Sequence, residues 1–164
     1  MIKVFMAEHS QAAVRDNPWH HFLRHIFQEI KVQAFQNLSM ESNPNKRVLL
    51  VDDEEDFCEI VMRILHKSGY EVICAPTIQI ATRVLSNYDP AIVLLDQNLP
   101  DGLGLNFLEN NKTTLSDKQV IFITGSSSRA IIDKAISLGA FHFLTKPITS
   151  DALNKAISQA EKSN

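Results

Sequence analysis

Five polar residues each follow a short apolar segment of the chain, and their types suggest one chemical site. They are Asp52, Asp53, Asp96, Thr124 and Lys146. Three carboxylates in one cleft repel each other and raise their own pKa values unless a cation joins them. Mg²⁺ suits such a cleft because it binds one or two carboxylates and a phosphate while it keeps several waters. A carboxylate can itself accept a phosphoryl group and become an aspartyl phosphate.

Phosphoryl transfer would give the remaining two residues clear tasks. The metal and Lys146 would neutralise the transferring group, and Thr124 would donate its hydroxyl to another phosphoryl oxygen. Each residue alone has a simpler explanation, because an Asp after a strand is commonly a turn residue and the acidic run at 52–56 could be a first helical turn. Matching polar residues at four strand ends favour a shared site.

Apolar and amphipathic segments alternate from residue 47 onward. The five apolar segments are 48–51, 72–75, 91–95, 120–123 and 141–144. Helical spacing of apolar residues follows each of them, around 57–65, 78–85, 105–108, 130–138 and 152–160. Gly69 and Gly139 are expected to end two of these helices, and Ser150 to be the N-cap of the last.

This alternation predicts an α/β fold with a doubly wound, five-stranded parallel sheet and helices on both faces. The strands are almost continuously apolar, as expected where both faces of a sheet are covered. Sites in such sheets form at the carboxyl ends of the strands. With the strand order 2-1-3-4-5, the first and third strands are neighbours, so we expect the three aspartates to converge.

Four ordered motifs resemble the response-regulator receiver domains of bacterial two-component signalling. The motifs are Val-Asp-Asp-Glu (51–54), Leu-Leu-Asp-Gln-Asn-Leu-Pro-Asp-Gly-Leu-Gly-Leu (94–105), Ile-Thr-Gly (123–125) and Thr-Lys-Pro (145–147). The resemblance covers residues 47 to about 161 and implies the flavodoxin-like receiver fold. It also implies that Asp96 is the phosphoacceptor. Mg²⁺ would be bound by Asp53, Asp96 and the backbone carbonyl of Asn98, and by Asp52 through water.

The same resemblance implies which residues would contact the phosphoryl group and respond to it. Thr124 and Lys146 would contact it, and Thr124 would act with Phe143 as a switch. Phe143 replaces the tyrosine that is common at this position of the family. Asn98 and Ser126 would tune the lifetime of the phosphorylated state, and the peptide bond that follows Lys146 would be cis.

These features predict a single-domain response regulator rather than an enzyme, one that assists its own phosphorylation and dephosphorylation. A histidine kinase or histidine phosphotransfer protein would be the phosphodonor. The signal would leave through the face of the fourth helix, fifth strand and fifth helix, to a downstream protein or a second copy in a homodimer. The chain ends soon after the fifth predicted helix, so we expect a stand-alone receiver.

Composition and charge argue against nucleic acid and membrane as partners. The formal net charge of −3 gives no electrostatic reason to expect nucleic-acid binding. No apolar run reaches the roughly 18 residues that a membrane helix needs, and the first residues do not form a secretory signal. We therefore expect a cytoplasmic protein without membrane contact.

Residues 1–46 are predicted to be an N-terminal extension of a receiver domain at 47–164. Apolar residues of the segment 19–30 fall on one helical face, and a polar linker follows at 42–46. Two interpretations stay open. The segment is either a docking or dimerisation helix, or part of a leader that is not native, since translation could begin at Met40.

Three rival functions fit parts of the pattern. A phosphatase with an aspartate nucleophile would place a second acid two residues after Asp96, where this chain has Asn98, which cannot transfer a proton. A flavin protein would need a phosphate-binding loop after the first strand, where this chain has acids. A receiver that signals by binding alone would not need the full acidic set.

Overall fold

The computed structural model describes residues 43–125 and 128–163. The predicted helix over residues 19–30 lies outside these ranges, so the N-terminal extension stays a prediction. A short 3₁₀ turn at Pro44–Lys46 leads into the first strand. The elements follow in the order β1 (Arg47–Val51), α1 (Glu55–Lys67), β2 (Glu71–Ala75), α2 (Ile78–Tyr88), β3 (Ile92–Asp96), β4 (Asn98–Leu99), β5 (Gly102–Leu103), α3 (Gly104–Asn110), β6 (Gln119–Thr124), α4 (Arg129–Ser137), β7 (His142–Thr145) and α5 (Ser150–Lys162).

The main sheet has five parallel strands in the order β2-β1-β3-β6-β7. β4 and β5 form a separate antiparallel hairpin, so β6 and β7 are the fourth and fifth strands of the main sheet. The arrangement therefore confirms the predicted order 2-1-3-4-5. β1 lies beside β3, with Val51 opposite Leu95, and β3 lies beside β6, with Asp96 opposite Ile123. At the edge, Thr124 of β6 lies opposite Thr145 of β7.

The core consists of strand residues covered on both faces. Leu49 and Leu50 point to opposite faces of β1, and both have no exposed surface. Burial of each such side chain contributes about 1.5–3 kcal/mol, so the central strands supply much of the folding free energy. No helix among the described residues is long and apolar enough to span a membrane.

The helix ends follow the sequence signals with one correction. Gly69 and Gly139 follow α1 and α4 with φ of +81° and +103°, a conformation that glycine adopts without steric cost. The expected N-cap at Ser150 is wrong, because Ser150 is the first residue of α5. Thr149 is the N-cap instead, and its hydroxyl oxygen accepts a hydrogen bond from the backbone N–H of Ala152 at 3.2 Å. Its extended backbone frees the side chain to reach that N–H.

A three-residue cluster ties the segment before β1 to the last helix. Lys46 Nζ lies 2.6 Å from Glu161 Oε1 and 4.2 Å from the centre of the Tyr70 ring. The Tyr70 hydroxyl donates a hydrogen bond of 2.7 Å to Glu161 Oε2. The bonds to Lys46 and Tyr70 hold the pKa of Glu161 below its usual 4.5.

We predict that Glu161→Gln lowers the melting temperature near neutral pH and has little effect in acid. Because the pKa of Glu161 is depressed in the folded protein, its contribution is complete above 4.5 and is lost as pH falls through the folded pKa. Thermal melts of both proteins across this range measure the gap. A gap that stays constant well below pH 4.5 would contradict the assignment, and Tyr70→Phe provides a control that removes one of the two bonds.

Candidate functional site

The predicted site residues lie at the carboxyl edge of the sheet. Asp52 follows β1, Asp96 ends β3 and Thr124 ends β6, and their exposed fractions are only 1%, 4% and 0%. Lys146 follows β7 and is half-buried, whereas Asp53 is exposed. The parallel strands therefore bring two buried carboxylates and one lysine to a common edge.

The ammonium group of Lys146 joins the two buried carboxylates. Its Nζ lies 2.9 Å from Asp52 Oδ2 and 3.1 Å from Asp96 Oδ1. It also donates a hydrogen bond of 2.7 Å to Glu54 Oε1, and it lies 4.8 Å from the centre of the Phe57 ring. One positive charge thus compensates the buried acids, while an aromatic face covers it on another side.

Burial and ion pairing act against each other in this group. Burial raises the pKa of Asp52, and the nearby Lys146 ammonium and the hydrogen bond from the backbone N–H of Glu54 offset only part of that shift. Burial alone would lower the pKa of Lys146, but Glu54 and Asp52 outweigh it, so this pKa lies above its usual value. These contacts therefore favour the ammonium form of Lys146.

One carboxylate oxygen of Asp52 receives no hydrogen bond from the described residues. Its Oδ1 accepts a hydrogen bond of 3.0 Å from the backbone N–H of Glu54. Its Oδ2 is buried and close to Lys146, but no group of the described residues donates to it with hydrogen-bond geometry. Such an oxygen can still accept a bond from a metal-bound water.

The loop after β3 is built around Asp96. Asp96 Oδ2 accepts a hydrogen bond from the backbone N–H of Asn98, the first residue of the β4–β5 hairpin. The backbone N–H of Gly104 donates to the Gln97 carbonyl at 2.8 Å. A Cβ at Gly104 would lie only 2.2 Å from the Asp96 carbonyl oxygen, so glycine permits this close approach.

Asp101 fixes the same loop from its other end. Its carboxylate accepts hydrogen bonds from the backbone N–H groups of Ile78 and Gln79 at 2.9 and 3.0 Å. These N–H groups belong to the first turn of α2 and have no partner within the helix. The loop after β3 is therefore attached to a neighbouring helix.

The predicted switch residues lie on the two strands at the edge. The backbone N–H of Lys146 donates a hydrogen bond of 2.9 Å to the carbonyl of Thr124. Phe143 is half-buried and lies opposite Phe122 of β6. The peptide bond between Lys146 and Pro147 is cis, as predicted. Ser126, the second predicted lifetime residue, lies outside the described residues, and Asn98 is exposed.

Sequence reasoning missed three residues that shape the site. Glu54 and Phe57 contact Lys146, and Asp101 caps α2. Glu54 belongs to an acidic run in which every member fits a first helical turn, so only its contact with Lys146 distinguishes it. Asp101 lies in a turn signal, Pro-Asp-Gly, which gives no sign of its distant partner.

The donor chemistry of the edge fits a hard cation such as Mg²⁺. Carboxylates and a backbone carbonyl at Asp52, Asp53, Asp96 and Asn98 are oxygen donors. Among the described residues, no three His, Cys, Asp or Glu side chains are close enough to bind a metal without help. Mg²⁺ does not require this, because it keeps several waters, one of which the buried Asp52 Oδ2 could receive.

Known proteins match this chain in sequence and in fold. Residues 48–158 match the model of the response regulator receiver domain. The photosynthetic apparatus regulatory protein RegA of Rhodobacter capsulatus is 27% identical over 117 residues, which are 71% of this chain and 64% of that protein. The chain thus spans less than two thirds of that relative.

Two solved structures extend the comparison. The beryllofluoride-activated NtrC4 receiver domain dimer is 37% identical, covers 72% of this chain and 98% of its own, and has a TM-score of 0.67. A response regulator from Burkholderia pseudomallei with a phosphorylated aspartic acid, calcium ion and citrate is 24% identical and shares the fold, with a TM-score of 0.65 and coverage of 72% and 69%.

The chain belongs to the response regulator receiver domain family. Its fold is the receiver fold, and membership in this family supports a role in phosphorylation signalling. This assignment favours the receiver interpretation over the phosphatase and flavin alternatives.

We predict that Asp101→Ala lowers the free energy of unfolding by about 0.5–2 kcal/mol, the cost of removing a side chain that accepts hydrogen bonds from the first turn of a helix. The reason is that two N–H groups of α2 lose their acceptor. The N-cap residue Thr77, whose hydroxyl oxygen accepts from the backbone N–H of Ile80, remains. Denaturant unfolding measures the change, and Asp101→Asn, which keeps one carbonyl acceptor, should lose less. Equal stability of the wild type and Asp101→Ala would show that water replaces the cap without cost.

Proposed function

We propose that this receiver accepts a phosphoryl group on Asp96 from a histidine kinase or a histidine phosphotransfer protein. The observation that carries the proposal is the buried Asp96 carboxylate at the end of β3, with the Lys146 ammonium 3.1 Å from its Oδ1. The phosphorylated domain then changes its interaction with another protein.

The transfer requires a nucleophile and charge neutralisation. An Asp96 carboxylate oxygen forms the new bond to phosphorus while the bond from phosphorus to the donor's imidazole nitrogen breaks. Lys146 and the Thr124 hydroxyl would contact the phosphoryl oxygens. Asp53, Asp96 and the Asn98 carbonyl would hold Mg²⁺ directly and Asp52 would hold it through water; the bound ion would supply further neutralisation of the transferring group.

The fate of the phosphoryl group is also part of the proposal. Asn98 and Ser126 would control how water reaches the acyl phosphate, so the receiver would assist its own dephosphorylation. Asn98 is exposed and carries no ionisable group that could act as a base. We therefore expect the acyl phosphate on Asp96 to have an intermediate lifetime.

We predict that a small acyl phosphate with Mg²⁺ labels the protein once, on Asp96. Asp96→Ala should take no label because the nucleophile is gone. Asp53→Ala should lose labelling through lost metal binding, whereas Asp52→Ala should weaken it less because its metal contact is through water. Intact-mass spectrometry measures the added phosphoryl group. Asp117→Ala is a control acid, because Asp117 precedes the amino end of β6, whereas Thr124 is at the carboxyl end, and it pairs with Lys118.

Labelling of Asp96→Ala at the wild-type level would overturn the assignment. Omission of Mg²⁺ provides a further control for the metal. Equal labelling with and without Mg²⁺ would contradict the proposed cofactor while leaving Asp96 as the acceptor.

The proposed output surface is the face of α4, β7 and α5. Two large apolar side chains, Ile136 of α4 and Phe141 just before β7, are 45% and 37% exposed. Their exposure is consistent with a contact surface. A second copy of the chain is one candidate partner, because the NtrC4 receiver domain, which is 37% identical, forms a dimer when activated.

The switch would link this surface to the pocket. A phosphoryl oxygen would draw the Thr124 hydroxyl inward, and the half-buried ring of Phe143 would move into the released space. The coupling cannot exceed the difference in free energy with which the phosphoryl group favours the two states, typically about 1–3 kcal/mol. Phe143 has no hydroxyl, so neither of its positions is held by a hydrogen bond from the ring.

We predict that Thr124→Ala accepts the phosphoryl group and responds poorly, because Asp96 and the metal ligands remain while the link to Phe143 is lost. Self-association of the phosphorylated proteins, measured by sedimentation, gives the response. Thr82→Ala is a control, because Thr82 is exposed on α2, which is not part of the proposed output surface. An identical response of wild type and Thr124→Ala would mean that the signal leaves the pocket by another route.

A further inference from the structure

The directed hydrogen bond of Lys146 goes to an exposed carboxylate rather than to the two buried ones. Lys146 Nζ lies within 3.1 Å of Glu54, Asp52 and Asp96, and the contact with Glu54 is the shortest at 2.7 Å. The Glu54 side chain is 63% exposed, whereas those of Asp52 and Asp96 are 0% and 6% exposed. The Oδ2 atom of Asp52 receives no directed hydrogen bond.

We infer that Glu54 is a positioning residue that competes with the incoming phosphoryl group for Lys146. The inference rests on the proposed phosphorylation of Asp96. An ammonium group has three N–H donors, and three carboxylates already surround this one. A phosphoryl oxygen would be a fourth oxygen beside a group with three donors, so it would compete with the carboxylates already there.

Exposure decides which carboxylate gives way. While the phosphoryl group approaches and Asp96 is still a carboxylate, loss of the ammonium would leave Asp52 or Asp96 as a buried charge without compensation, which is costly. Glu54 can be hydrated as soon as it is released, because most of its side chain already faces solvent. Phe57 stays beside the ammonium and does not compete for its N–H donors.

The local backbone lets the Glu54 side chain leave without disturbing the site. Glu54 is the N-cap residue of α1, but its side chain makes no capping hydrogen bond. The contact that Glu54 makes with Asp52 comes from its backbone N–H, at 3.0 Å from Asp52 Oδ1. Substitution of the side chain therefore leaves this hydrogen bond in place and removes no capping hydrogen bond from α1.

With a small acyl phosphate as donor, an Asp96 oxygen forms the bond to phosphorus. The bond from phosphorus to the acyl oxygen breaks, and the donor leaves as a carboxylate. Lys146 stays protonated throughout. It exchanges the oxygen of Glu54 for a phosphoryl oxygen, and water solvates the released Glu54 carboxylate.

The test compares three variants in labelling by a small acyl phosphate with Mg²⁺. Glu54→Gln replaces the ion pair by a weaker neutral contact and should raise the labelling rate about threefold, as expected for release of an exposed ion pair. Glu54→Asp keeps the charge but shortens the side chain by one methylene, so it should also be faster than wild type. Asp56→Asn removes an exposed charge from the first turn of α1 that forms no ion pair with Lys146, and it should leave the rate unchanged.

A second readout is independent of the donor's chemistry. Beryllofluoride with Mg²⁺ imitates the phosphoryl group, and its affinity can be measured by fluorine NMR. Glu54→Gln should bind it about threefold more tightly, a change of about 0.7 kcal/mol because 1.4 kcal/mol corresponds to tenfold. A purely structural role of Glu54 would lower the melting temperature without increasing either the affinity or the rate.

The outcomes separate this inference from the function on which it rests. Wild type that is labelled on Asp96, together with Glu54→Gln that is no faster and binds beryllofluoride no more tightly, overturns the role of Glu54 alone. Equal acceleration by Glu54→Gln and Asp56→Asn, with Glu54→Asp at the wild-type rate, would replace competition by general repulsion of the anionic donor. A wild type that takes no label would overturn both proposals.

Discussion

The arrangement of the site depends on one lysine that holds two buried carboxylates together. Asp52 and Asp96 are almost without solvent contact, and Lys146 lies about 3 Å from each. A buried ion pair rarely repays the cost of removing both charges from water. Stability alone is therefore a weak explanation of this group, since replacing a buried ion pair by apolar side chains of similar volume is often neutral or stabilising. The group is better explained as a preformed site for an added anion and its cation.

The direction and order of the strands bring the lysine and the two carboxylates together. Parallel strands end at the same edge, and the order places β1 beside β3, so Asp52 and Asp96 become neighbours. Lys146 arrives from the far edge strand, β7, which is separated from β3 by β6. The hydrogen bond from its backbone N–H to the Thr124 carbonyl fixes where the lysine leaves that edge. Its long side chain then covers the remaining distance.

Much of this could be predicted from sequence, because the deciding signals are local. Apolar runs mark the strands, and the acids, threonine and lysine follow them directly. The N-cap of α5 was harder, since Thr149 and Ser150 both carry hydroxyls and only the backbone conformation separates them. The β4–β5 hairpin has strands of two residues, too short to show alternation, and the cap of α2 by Asp101 joins residues 22 or more positions apart. The contact between Glu54 and Lys146 spans 92 positions, so no local pattern contains it.

The same edge explains how a local change of charge could reach a distant surface. A backbone hydrogen bond joins Thr124 to Lys146, so it couples the two strand ends that carry the groups proposed to contact the phosphoryl oxygens. Phe143 lies on the same short strand as the residues leading to Lys146, and it is neither fully buried nor exposed. A closely packed interior responds to such a shift by exchanging one arrangement for another rather than by stretching. The strand that brings the lysine to the acids is therefore also the element best placed to transmit a change between them to α4 and α5.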